Sequence, residues 1–243
     1  MGWGWIQAHG DYNGVMRIED LNWMDVEKYL KHEDRLMLVV GACEQHGYLS
    51  LLSDIKIPLA LADAASKQTG VLVAPPVNFG ASPYFLTYPG TFSLRLSTLM
   101  DAVEDIVRSA YGQGFKRILV LNGHGGNSGL KVRLTELANE LSDIKIQWHS
   151  WWMAHSVEEV AIHHDIKPAH ANWLEAFPFT IVADLPEREK IPPHVPSDIM
   201  NARMARKVYG DGSFGGRYQV PQEIIQEVFD AALQDVLQLI RFE

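Results

Sequence analysis

The stretch "LMLVVGACEQHGYLSLLSD", residues 36–54, starts as a buried strand and ends in chemistry. Leu36, Met37, Leu38, Val39 and Val40 form an unbroken apolar run. That is the pattern of a strand covered on both faces, as in a parallel sheet between helices. Gly41 then turns the chain, which presents Glu44, His46 and Asp54. In open α/β sheets, sites form beyond the carboxyl ends of the strands. Two carboxylates and an imidazole at that place call for an explanation.

Outward from this stretch, apolar strands and amphipathic helices alternate. Residues 19–31 carry Leu21, Met24, Val26 and Leu30 near helical spacing. Residues 57–69 read as a helix with Pro58 in its first turn and Gly70 after its end. "VLVAPPVNFG" (71–80) is a short strand entering a Pro-Pro loop. The helix in 96–114 places Leu99, Val103, Ile106, Val107 and Ala110 on one face, with Gly112 near its end. "KRILVLNGHGGN" (116–127) is a second buried strand running into a glycine turn. A helix at 128–142, a strand in 145–153, an irregular segment at 185–200 with four prolines, and a final helix at 221–241 complete the chain. The reading is one α/β domain over residues 1–243, with a mostly parallel central sheet between helical layers. The strands at 36–40 and 117–121 both end in polar clusters, which therefore share one edge of the sheet.

Composition narrows the function. The chain is 47% hydrophobic and 21% charged, so it has the apolar content for a sizeable core. A formal charge of −9 argues against a general nucleic-acid binder. The lone Cys43 favours a reducing, cytoplasmic location. "MGWGWIQAHGDYNG" (1–14) lacks the pattern of a signal peptide. No apolar run reaches the roughly 18 residues of a membrane span.

Glu44, His46, Asp54 and His124 together form a mixed nitrogen and oxygen donor set of the kind Zn²⁺, Mn²⁺ and Fe²⁺ accept. Taken singly, Asp54 also fits a helix N-cap, Glu44 a solvated loop carboxylate and His46 a hydrogen-bonded loop histidine. His124 has little packing purpose between Gly123, Gly125 and Gly126, which allow positive φ and close backbone approach. A phosphate-cradling turn is the alternative for "NGHGGN", but the GxGxxG spacing and the P-loop Lys-Ser/Thr are missing.

Three segments, "GACEQHGYLSLLSD", "APPVNFGASPYFLTYPGTFSL" and "GFKRILVLNGHGGN", resemble the creatininase (creatinine amidohydrolase) family in order and interval. The resemblance covers about residues 36–130. It implies a three-layer α/β/α fold, two divalent metal ions, hydrolysis of cyclic or formylated amides by metal-activated water, and a homo-oligomer, often a hexamer. It further implies that Glu44 and His46 bind different metals, that Asp54 bridges them, and that His124 completes the site near Glu44. Creatinine-cleaving members carry a Glu where this chain has Gly126. Many relatives with Gly-Gly have instead a later His-Ala-Gly-Glu-x-Glu-Thr-Ser segment, matched here by "HANWLEAF". This makes Glu175 the candidate fifth ligand and His170 a candidate catalytic acid or base. The alternatives are a helix-face carboxylate and a surface or structural histidine.

The chain departs from its relatives between Gly47 and Asp54. The second His usual there is absent, and Glu44 and Asp54 are one residue closer. Creatinine itself is therefore a doubtful substrate. Ser82, Tyr84, Tyr88, Thr91, Trp151 and Trp152 are candidates for the cavity wall, against packing or subunit contacts. His163 and His164 read as structural or exposed, and Cys43 as a spectator. The leading expectation is C–N hydrolysis of a small-molecule amide. The alternatives are C–C hydrolysis of a cyclic polyol ketone on the same metals, and a catalytically silent binding or assembly protein.

Overall fold

The computed structural model describes residues 14–243. The N-terminal stretch read above as lacking a signal peptide lies, but for Gly14, outside the described residues.

Helix α1 (Trp23–Tyr29) leads into strand β1 (Arg35–Val40). Helix α2 (Ser53–Thr69) and the short β2 (Leu72–Val73) follow. Then come α3 (Leu96–Gln113), β3 (Arg117–Asn122), α4 (Leu130–Glu140) and β4 (Lys145–Ser150). The chain ends with α5 (His155–His163), α6 (Ala202–Tyr209) and α7 (Gln222–Leu239). Residues 185–200 contain neither helix nor extended strand, in line with their prolines.

The four strands lie in the order β2-β1-β3-β4, and every pairing is parallel. Alternate residues of β1 and β3 serve opposite faces of the sheet. Met37, Val39, Leu119 and Leu121 pack with α2, α5 and α7. Leu36, Leu38, Val40, Ile118 and Val120 pack with α3 and α4. Burying such a side chain contributes about 1.5–3 kcal/mol, so covering both faces is what makes these strands continuously apolar. The result is a three-layer α/β/α sandwich. A smaller cluster of Phe85, Tyr88, Met200, Ala205 and Tyr209 stands apart from both layers. No helix among the described residues is long and apolar enough to cross a membrane.

Three local readings are corrected. Helix α2 begins at Ser53, so Pro58 lies inside it and Asp54 sits in its first turn rather than at an N-cap. Ile106 is 38% exposed, because the buried stripe of α3 runs through Leu99, Val103, Val107 and Ala110. The left-handed residue closing α3 is Gly114 (φ 117°), and Gly112 is helical.

Candidate metal centre

Val40 pairs in register with Asn122, so β1 and β3 end at the same height. The loops that follow, "GACEQH" and "GHGGN", therefore leave the sheet side by side. The first turn of α2 is wedged against both. A Cβ at Gly41 would stand 2.2 Å from the Asp54 carbonyl oxygen, and one at Gly123 would stand 1.8 Å from it. Pro58 explains part of this arrangement. It lies four residues after Asp54 and has no N–H, so that carbonyl lacks its usual intrahelical donor. The glycines of "NGHGGN" thus serve close approach. None of Gly123, Gly125 and Gly126 has positive φ, contrary to half of the sequence expectation.

The two asparagines lock the turn. Asn122 Nδ2 donates to the His124 carbonyl (2.9 Å), and its Oδ1 accepts from His124 N–H (3.2 Å). Asn127 Nδ2 donates to the Gly41 carbonyl (3.1 Å), and its Oδ1 accepts from Ala81 N–H (3.1 Å). Both side chains are fully buried, so each bond fixes the loops rather than solvating them.

The expected donors converge. Asp54 Oδ1 lies 2.9 Å from His46 Nε2, and Asp54 Oδ2 lies 2.9 Å from His124 Nδ1. Glu44 Oε2 is 3.5 Å from His124 Nε2, and Glu175 Oε1 is 3.8 Å from His46 Nε2. Two triads result, Glu44–Asp54–His124 and His46–Asp54–Glu175, and Asp54 belongs to both. The His124 contact is off the direction of a hydrogen bond, leaving the buried Asp54 Oδ2 without one. A buried carboxylate oxygen in that state is costly unless another ligand meets it. The set contains oxygen and nitrogen donors and no sulfur. It therefore fits a first-row divalent cation.

Electrostatics show the same need. Burial pushes the Glu44 carboxyl up to about 7. It raises Glu175 as well. Burial works against Asp54 too, but His46 and His124 outweigh it and hold that carboxyl below the usual carboxylate range. Burial alone would lower both imidazoles. Asp54 and Glu175 instead carry His46 well above its ordinary value, and Glu44 and Asp54 carry His124 to about 9. Without metal, protons on imidazole supply the positive charge that the buried Glu44 and Asp54 and the half-buried Glu175 require. A cation held there would take over that role and displace them.

His170 stands beside these triads. Burial, then His46, hold it well below the ordinary histidine range. It also forms a grouping with Glu44 and His46, but its Nε2 is engaged by Gln45 Nε2 at 2.9 Å. The Gln45 amide is oriented by Gly47 N–H on its Oε1 (3.1 Å) and by the Gly212 carbonyl on its Nε2 (3.2 Å). The Gln45 backbone carbonyl lies 3.2 Å from His170 Nε2, so Gln45 positions the ring through both its side chain and its backbone. Phe85 stacks on the same ring, with centroids 5.0 Å apart and planes at 13°.

A cavity of about 500 Å³ opens over the cluster, lined by Glu44, Asp54, His124, His170 and Glu175 among others. Of the proposed wall residues, Ser82, Tyr84 and Trp152 line it. Tyr88 packs against Phe85, and Thr91 Oγ1 accepts from Gln45 N–H, both away from the lining. Trp151 belongs to the core under α2, α5 and α7. His164 bonds Glu227 at the surface (2.8 Å), and Cys43 Sγ contacts the Gly90 carbonyl (3.3 Å). Gln45, Phe85 and Phe214 were not singled out from sequence. Phe85 sat inside the aromatic loop already noted, whereas Phe214 lies in "GDGSFGG", where only a glycine turn is legible.

A parallel sheet covered on both faces, with buried carboxylates and imidazoles gathered at its carboxyl edge, defines an α/β protein with a site able to take divalent metal. The sequence profile of the creatininase family, described as creatinine amidohydrolase, matches residues 19–240, and the chain belongs to that family. Creatinine amidohydrolase of Pseudomonas putida is 32% identical over 148 residues, 56% of this chain and 57% of that protein. A mycofactocin precursor peptide peptidase of Mycolicibacterium smegmatis is 38% identical over 99 residues, 38% of this chain and 40% of that protein. The 3-dehydro-scyllo-inosose hydrolase of Thermotoga maritima is 25% identical over 122 residues, 49% of this chain and 39% of that protein. These matches thus span between 39% and 57% of the length of the curated relatives. A crystal structure of creatinine amidohydrolase superposes with a TM-score of 0.81 at 24% identity, covering 93% of this chain and 96% of that one.

Proposed function

We propose that this chain is a metal-dependent hydrolase that cleaves the C–N bond of an amide. The observation that carries the reading is Asp54. Its two oxygens face two different imidazoles, and each imidazole has a further carboxylate beside it. Glu44, Asp54 and His124 would hold one divalent ion, and His46, Asp54 and Glu175 a second. Such ions supply Lewis-acid polarisation and make water acidic enough to act near neutral pH. The chain's own residues do the rest. His170 has no carboxylate within hydrogen-bond distance, its nearest being Glu44 at 3.9 Å. It is therefore the proton carrier. Neutral before reaction, it accepts a proton as water is consumed and returns it to the leaving nitrogen. Gln45 and Phe85 hold its ring in place.

The reading takes residues 1–243 as one catalytic domain, acting on a small molecule and assembling as a homo-oligomer in the cytoplasm. Zinc and manganese are the metals to try first, with iron third. Treatment with a chelator should abolish hydrolysis, and added Mn²⁺ or Zn²⁺ should restore it. Elemental analysis should find about two ions per chain. Full activity without metal would end the proposal, and a metal-free purified protein would favour the silent binding member. C–C hydrolysis of a cyclic polyol ketone is the second reading, and the likeness to the Thermotoga 3-dehydro-scyllo-inosose hydrolase favours testing it. Products from lactams, formamides and cyclic diketones separate the two.

A further inference from the structure

We propose that the cavity wall selects a neutral amide bearing an aromatic or branched apolar group beside the scissile bond. This rests on the metal-hydrolase reading and adds the class of substrate. The first observation is size. A cavity of about 500 Å³ falls in the range of sites that enclose drug-sized molecules, so it has room beyond one five-membered cyclic amide. The second is the wall. Tyr84, Trp152, Leu174 and Phe214 give it aromatic and aliphatic surface. Phe214 is itself fixed, stacked on Tyr209 with centroids 4.3 Å apart at 24°. A rigid apolar wall gains from an apolar group at about 25 cal/mol per Å² covered.

The third observation is charge. Among the described residues no Lys or Arg lines the cavity, and its charged side chains belong to the donor cluster or His170. A carboxylate on the part of the substrate that meets the wall would lose water and find no cation, which disfavours it strongly. The fourth observation is Gly125. A Cβ at that position meets no atom within 4 Å, and its φ is not positive. The turn beside His124 therefore leaves open space that a side chain would occupy without backbone strain.

Hydroxamic acids test this, because the hydroxamate seeks the metals while the rest of the molecule meets the wall. Binding of acetohydroxamate, phenylacetohydroxamate and 4-carboxyphenylacetohydroxamate to metal-loaded protein is measured by calorimetry. The phenyl compound is expected to bind at least about tenfold tighter than acetohydroxamate, and the added carboxylate to remove that gain. Gly125→Leu should weaken the phenyl compound more than acetohydroxamate. Trp152→Ala, which creates no crowding, should shrink the same ratio. Equal affinity for the phenyl and acetyl compounds, or undiminished binding of the carboxylate, overturns the proposal. Failure of all three to bind overturns the metal reading and this inference with it.

Discussion

Glu44 and Phe85 line the same cavity, yet different things hold them. Glu44, His46, Asp54 and His124 stand on short loops off β1 and β3 and on the first turn of α2. Asn122, Asn127 and glycine contacts under 2.5 Å from a notional Cβ clamp those loops. This floor is 7% exposed or less and inherits the rigidity of the sheet. Phe85 instead packs among Tyr84, Tyr88, Tyr209 and Phe214, in a cluster separate from both faces of the sheet. Its wall is held by rings touching rings. The floor is suited to fixing charge, and the wall to being recut for another substrate without disturbing the donors.

The largest effect should come from the floor. Asp54→Asn keeps the side-chain shape but removes the charge shared by both triads. It is expected to cost about a thousandfold or more in turnover, about 4 kcal/mol, together with most of the bound metal. Glu44→Gln and Glu175→Gln should each reduce the metal content less, since each touches one triad. Steady-state kinetics with elemental analysis reads this. A fully metallated, active Asp54→Asn protein would mean that the floor is not one unit.

The floor was also the more legible region. A strand run, a turn glycine and a donor residue recur at β1 and β3, and parallel topology forces their loops onto one edge. Asp54 was legible as a donor but misplaced, because Pro58 resembles a helix start. Pro58 sits inside α2, and Gly41 and Gly123 leave room for the carbonyl that it frees. That is a contact among three distant segments, which no local pattern records. The wall was partly legible. The aromatic loop at 80–93 announced itself, but Tyr88 and Thr91 turn inward while Phe85 turns to His170. Which ring faces the cavity depends on α6 and on Phe214, and the sequence after residue 154 carries little periodicity to place either.

The middle effects compare the regions through stability. Phe85→Ala removes a buried ring and should cost about 3 kcal/mol, yet leave the metal content intact. Loss of metal with the ring would show that the wall supports the floor after all. Gly123→Ala forces a methyl onto the Asp54 carbonyl and should cost about 2 kcal/mol with loss of metal, because the start of α2 must move. Denaturant melts with and without metal distinguish these outcomes.

The smallest effect is a change in a difference. In metal-free protein, Glu44 is raised from 4.5 to about 7 and His124 from 6.5 to about 9. A raised folded-state value gives stability that is full below the unfolded value and is lost as pH rises through the folded one. Both groups therefore make metal-free protein less stable between about pH 5 and 9. Asp54 acts oppositely, but its value is depressed, so its contribution is already full above its ordinary value of 3.8 and is flat over this range. Metal-loaded protein needs these ligands deprotonated and escapes the loss. The gap in Tm between loaded and stripped protein should widen as pH rises from about 5 to 9. Phe85→Ala should lower both Tm values and leave the widening unchanged, since the wall ring carries no charge. A gap that narrows with pH would mean that protons do not stand in for the metal on the floor. A Phe85→Ala protein that loses the widening would mean that floor and wall are coupled.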